Sequence, residues 1–339
     1  MNNFLSALRG EEHEQVPVWF MRQAGRYSRD YQDIRQGNSI KEICLDPELT
    51  YRVTSSPIDE LGVDAAIIFF DILLPAEGMG FKIDYEEGRG PVISNPVLPG
   101  KANSEIFQFS RSSMPYPVEK AIKIFRERRP GFPIIGFSGG PITMISYLLR
   151  GQSDKELIET RKYLLNHARE AGMVMDMITE ASIETLKLQV RSGCSAIQLF
   201  DSWAGYLPPS MLRDYSDRYI SQISSEFSGK IPLIYFSTQT SSSLDILKDT
   251  GADILSMDWR CDLHKISGMV GPEKGLQGNL DPVMAAFSPE RAVDESIRIS
   301  SSMKGVNRYI FNLGHGVLPQ TSPETLRRIV QAVHSVVIN

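Results

Sequence analysis

Two arginines stand four residues apart in Met21-Arg22-Gln23-Ala24-Gly25-Arg26-Tyr27, with a glycine between them to turn the chain. A guanidinium is a planar fork that holds a carboxylate by two charge-assisted hydrogen bonds, so two in one loop suit a ligand carrying carboxylates. Tyr31 and Arg35 follow closely and favour a local anion site; solvated surface charge is the alternative. Asp71 lies between Ala65-Ala66-Ile67-Ile68-Phe69-Phe70 and Ile72-Leu73-Leu74-Pro75. An unpaired charge in such surroundings is unfavourable. It serves either as a helix cap or structural ion pair, or as an acceptor for ligand N–H groups and developing positive charge.

Leu199-Phe200-Asp201-Ser202-Trp203-Ala204-Gly205 offers an acid, a hydroxyl and an indole, but no G-x-S-x-G elbow that would make Ser202 a nucleophile. His315, flanked by Gly314 and Gly316, is either structural or a cleft residue with an exposed backbone. Gly136-Phe137-Ser138-Gly139-Gly140-Pro141 lacks the Lys-Ser/Thr of a phosphate-binding loop and reads as a tight turn. Tyr147, six residues past Pro141, reads as a core tyrosine. The five histidines, His13, His167, His264, His315 and His334, have no metal-ligand spacing, and no metal is expected. Cys44, Cys194 and Cys261 are far apart with no C-x-x-C pair, which suits a reducing compartment.

These groups need a scaffold to bring them together. The 339 residues are 42% hydrophobic and 23% charged, a composition that buries a large core and excludes disorder or a disulfide scaffold. A net charge of −5 argues against nucleic acid, so positive partners for an anionic ligand must be clustered locally. Residues 1–15 have no apolar signal-peptide core, and no run reaches membrane-spanning length; the expected location is the cytoplasm.

Apolar runs bounded by breakers predict strands at 16–21, 65–70, 133–137, 196–200, 232–236, 252–257, 275–279 and 309–313. Most are continuous rather than alternating, the pattern of parallel strands covered on both faces. Helical patterns separate them. The last opens with Ser322 and Pro323 and places Leu326, Ile329, Val330, Val333 and Val337 on one face; Ser288 and Pro289 open another. Residues 153–192 leave room for two helices, and alternation around Glu87-Gly88-Arg89-Gly90 predicts a β-hairpin over 81–93. Strand–helix alternation repeated eight times predicts an α/β fold, a (β/α)8 TIM-type barrel in one domain, against a doubly wound sheet as rival. Polar residues directly past the strand ends favour the barrel, where Arg22, Asp71, Ser138, Asp201, Ser202, Ser237, Asp258, Asp281 and His315 would converge on one mouth.

Pro17-Val18-Trp19-Phe20-Met21-Arg22-Gln23-Ala24-Gly25-Arg26-Tyr27 resembles the signature of the uroporphyrinogen decarboxylase family, and Asp64 to Leu73 resembles its second. Phe200 to Gly205, Gly278-Asn279-Leu280-Asp281-Pro282 and Asn312 to Gly316 are similar to three more, so the likeness spans nearly the whole chain. The resemblance implies a barrel, a homodimer, and removal of the four acetate carboxyl groups of uroporphyrinogen to give coproporphyrinogen without metal or organic cofactor. It implies that the loop from Arg22 through Gln23, Ala24 and Gly25 to Arg26 binds substrate carboxylates and that Asp71 accepts the pyrrole N–H bonds. Tyr147, Ser202 and His315 would line the cavity, with Asp71, Arg22, Arg26, Tyr147 and His315 as the catalytic set. The proton donor stays open between an arginine and a water held by Arg22 or Tyr147. The chain departs from the family pattern in two places: Phe70 stands where serine is common, and Gly139-Gly140-Pro141-Ile142-Thr143 stands where Gly-Ala-Pro-Trp-Thr is.

The nearest alternative is a corrinoid-linked methyltransferase of the same superfamily, which would hold zinc through a His-x-Cys pair and a later cysteine. This chain has Tyr235-Phe236-Ser237 at the corresponding strand end. A non-catalytic tetrapyrrole carrier, a different class, would need the arginines but not Asp71.

Overall fold

The computed structural model describes residues 2–86, 90–101, 107–110, 117–152 and 154–337. Its strands are β1 (Ala66–Ile67), β2 (Ile83–Glu86), β3 (Gly90–Ile93), β4 (Ile134–Gly139), β5 (Ala196–Phe200), β6 (Leu233–Phe236), β7 (Ile254–Ser256), β8 (Gly275–Gln277) and β9 (Tyr309–Ile310). Seven of them form one parallel sheet in the order β1-β4-β5-β6-β7-β8-β9. Neighbours in space are neighbours in sequence, apart from the antiparallel pair β2–β3, which forms its own sheet. Short apolar strands such as Ala-Ile-Gln-Leu-Phe in β5 bury nearly every residue, as a sheet wrapped by helices requires.

The segment at 16–21, expected as a full strand, makes a single parallel bridge from Val18 to Phe311 beyond β9. Phe311 N donates to Pro17 O at 2.9 Å, and Asp64 N to Val18 O at 2.8 Å, so the segment lies between the two ends of the sheet and curls it into a barrel. Side chains replace the missing ladder. Asp64 Oδ2 accepts from Val18 N at 2.7 Å. Gln23 accepts from Phe20 N and donates to Ala65 O, both at 3.1 Å. Asn312 Oδ1 takes Met21 N at 3.1 Å. Buried backbone groups are thereby satisfied without regular strand geometry. The result is a TIM-type barrel.

Within the barrel, Trp19 Nε1 donates to Gln277 Oε1 at 2.9 Å, and Gln277 donates on to Gln198 and Ser256 at 3.1 and 2.8 Å. Helices Ile158–Asn166 and Ala168–Arg191 fill the long connection before β5. Helix Pro323–His334 is capped by Ser322 and buries Leu326, Ile329, Val330 and Val333. Val337, expected on that face, falls beyond the helix end and is exposed. Its last residue, His334, reaches Asp64 at 2.8 Å and ties the helix to the closing seam. Residues 83–86 and 90–93 pair antiparallel, while the turn expected at Glu87, Gly88 and Arg89 lies outside the described residues. Among the described residues, no helix is long and apolar enough to cross a membrane.

Candidate functional site

The carboxyl ends of the strands open into a cleft of about 230 Å³, lined among others by Arg22, Ala24, Asp71, Ser202 and His315. Chain direction explains the convergence: in a parallel barrel every strand delivers its following loop to the same face.

Arg22 follows the closing segment directly and adopts a left-handed backbone conformation, φ 59°. Its side chain lies along Gly316, where a Cβ would stand 2.5 Å from Arg22 Cδ, so a larger residue at 316 would push the Arg22 side chain aside. Among the described residues, neither Arg22 nor Arg26 has a carboxylate within 4.0 Å, and both are exposed. Arg26 and Gly25 stand outside the cleft wall; a Cβ on Gly25 would lie 2.9 Å from Arg22 O, which makes this a tight turn. Gln23 is buried and spends its amide on barrel closure, not on the cleft. Arg35, expected to join the anion site, donates to Asn38 O at the end of its own helix.

Asp71 Oδ1 accepts from Leu73 N at 2.8 Å, just ahead of the helical turn Leu74–Met79. Its other work faces the cleft. Burial pushes the carboxyl above its ordinary value, and the Leu73 N–H, the Tyr85 hydroxyl and Arg22 pull it back. Tyr85 comes from β2, so the hairpin supplies a group at Asp71 that the spacing of the sequence did not suggest.

His315 Nδ1 accepts from Gly316 N at 2.7 Å, which places the proton on Nε2 in the neutral ring. Burial first, then the positive charges of Arg22 and Arg260, lower its pKa to about 4 despite Asp258. It is a neutral donor at pH 7. Ser202 lines the cleft, and its carbonyl accepts from Thr238 Oγ1 at 2.7 Å. Tyr147 stands back from the lining, stacked on Trp203 at 5.0 Å and 25°. Its hydroxyl is raised by burial and by Asp71, against Arg22, so it lies within electrostatic reach of both.

Several expected mouth residues are structural instead. Asp201 is fully buried beneath the rim, and Ser138 and Ser237 are buried as well. Asp258 accepts from Gln239 N at 2.8 Å and from Arg260 at 2.6 Å. Asp281 caps the helix Pro282–Phe287. Gly139 and Gly140 are packing glycines, since Cβ atoms there would stand 2.7 Å from Met144 Sδ and 2.3 Å from Asp201 Cγ. Among the described residues, no three His, Cys, Asp or Glu side chains gather as a metal site.

One feature of the wall escapes single-segment reading. Phe70, Phe137, Phe200, Phe236 and His315 form a continuous belt, with centroids 6.4, 5.3, 6.0 and 5.8 Å apart and each ring edge-on to the next. Edge-to-face contact at these distances is a favoured arrangement of aromatic rings. The arrangement suits a ring ligand with apolar faces, N–H donors for Asp71 and peripheral carboxylates for the guanidinium groups.

The family model described as Uroporphyrinogen decarboxylase (URO-D) matches residues 1–336. A uroporphyrinogen decarboxylase of Thermoplasma acidophilum is 43% identical over 336 residues, covering 99% of both chains. Another, from Picrophilus torridus, is 44% identical over 335 residues with 99% of each covered. Among solved structures, a methyltransferase from Methanosarcina mazei superimposes with a TM-score of 0.79 at 22% identity, over 98% of this chain and 97% of that one, a likeness of fold alone. Barrel geometry is thus common to both activities, whereas the sequence match running from residue 1 to residue 336 places this chain in the uroporphyrinogen decarboxylase family.

Proposed function

We propose that the cleft binds uroporphyrinogen and removes its four acetate carboxyl groups to give coproporphyrinogen, without a metal or organic cofactor. The observation that carries this is Asp71, held among aromatic rings and within electrostatic reach of an Arg22 that has no carboxylate of the described residues within 4.0 Å. An acetate arm on a pyrrole loses CO2 only if the ring can take the electron pair, which protonation of the ring carbon next to the one bearing that arm allows. The C–C bond breaks, its electrons enter the cationic ring, the methylene carbon takes up a proton and the ring proton leaves. Each round consumes one proton and releases one CO2. Asp71 stabilises the cationic ring more than the neutral one, and that difference lowers the barrier. Arg22 and Arg26 hold the carboxylates that are not reacting. His315, neutral at pH 7, donates a hydrogen bond and does not act as the acid. The proton comes from Arg22 itself or from water held by Arg22 or Tyr147.

The chain is further read as a single barrel domain that works in the cytoplasm as a homodimer. Metal-stripped protein incubated anaerobically with uroporphyrinogen III should yield seven-, six-, five- and four-carboxylate products, separated after oxidation. Sedimentation equilibrium of the same preparation should give twice 38.0 kDa. Persistence of the eight-carboxylate species alone with folded protein rejects the decarboxylase reading, and a mass of 38.0 kDa rejects the dimer.

A further inference from the structure

Asp201 directly follows β5, immediately before Ser202, and none of it reaches solvent. Its carboxylate accepts from Thr143 N and Thr143 Oγ1, both at 2.9 Å, from the Tyr235 hydroxyl at 3.3 Å and from the Tyr215 hydroxyl. Thr143 belongs to the first turn of the helix Pro141–Arg150, and Tyr147 lies one turn further on the same face. Trp203, two residues past Asp201, donates its backbone N–H to Thr143 Oγ1 at 3.4 Å and stacks its indole on Tyr147. One carboxylate therefore fixes both members of the stack. Contact at this junction is close, since the absence of a Cβ on Gly140 is what lets Asp201 sit against the helix start.

A buried carboxylate is a poor device for stability alone, because apolar groups of similar volume do as well or better. We propose that Asp201 is a positioning residue: through Thr143 and Tyr215 it locks the helix Pro141–Arg150 onto the end of β5 and sets where the Tyr147 hydroxyl stands relative to Asp71 and Arg22. This rests on the reading of Tyr147 as part of the reacting site.

A double-mutant cycle on uroporphyrinogen turnover tests it, with Asp201→Asn and Tyr147→Phe singly and together. Asp201→Asn should lower kcat about tenfold or more while KM stays within about twofold, as misplacement of a group needed in the transition state does. In the Tyr147→Phe background the same replacement should lower kcat by less than about twofold, because the group it positions is already gone. A purely structural role would move the urea midpoint and would reduce kcat equally in both backgrounds; equal losses overturn the proposal. Should Asp201→Asn not fold, Thr143→Val, which keeps the carboxylate and deletes one donor, runs the same cycle with the same outcomes. Wild-type turnover in Tyr147→Phe alone overturns the role of Tyr147, and the positioning role with it, and is visible in that single variant.

Discussion

At Asp71 the physics is a contest between desolvation, which favours the neutral acid, and three groups that favour the charge: the Leu73 N–H, the Tyr85 hydroxyl and Arg22. Asp71→Asn keeps the shape and the acceptor for Leu73 N but removes the charge that would face a cationic ring. Turnover of uroporphyrinogen should fall by about 10²–10³-fold, with the circular dichroism spectrum unchanged. An Asn variant with wild-type turnover would sink the electrostatic account. His315 carries a separate consequence for stability. Its pKa is about 4 when folded and 6.5 as a free side chain, so between those values the unfolded chain binds more protons. Stability present above pH 6.5 is lost as pH falls toward 4. His315→Asn offers an oxygen to Gly316 N and has nothing to titrate, so its urea midpoint should be flatter across that window than the wild-type midpoint. Arg22 and Asp71 were legible because each directly follows an apolar strand run, and Ser202 and His315 because each lies two residues past one; the chain direction of a parallel barrel does the rest. Tyr147 was not, since its place depends on a stack with Trp203, a residue of another loop.

Among the elements, fully buried strands were read most easily: the run at 196–200 and the strand Ala196–Phe200 coincide. The closing segment was read as a strand because its composition is apolar, yet polar side chains do the work of a ladder there. Asp64 is central to that seam, accepting from both Val18 N and His334. Asp64→Ala leaves the Val18 N–H without its partner and should destabilise the fold by about 1–3 kcal/mol, lowering the urea midpoint with the slope unchanged. An unaltered midpoint would mean that the seam is held by packing alone. The aromatic belt shows where reading by segment stops. Five separate segments of the chain contribute one ring each, and nothing in the spacing along the chain announces that successive rings will stand edge to face. Asp201 illustrates the opposite error: its position past a strand end suggested the mouth, whereas the two tyrosines and Thr143 draw it under the rim.

The whole molecule carries a net charge of −5, so its long-range field does not attract an anionic ligand; the attraction must come from guanidinium groups within a Debye length of the cleft. Those groups depend on a backbone that is not at rest. Arg22 occupies a left-handed conformation that costs a non-glycine residue on the order of 1–3 kcal/mol, while glycine adopts it freely. A selection for heat resistance alone would therefore favour glycine at position 22 and collect sturdy barrels with an empty cleft wall. For this protein, screens for durability and screens for activity should pull on the same residue in opposite directions.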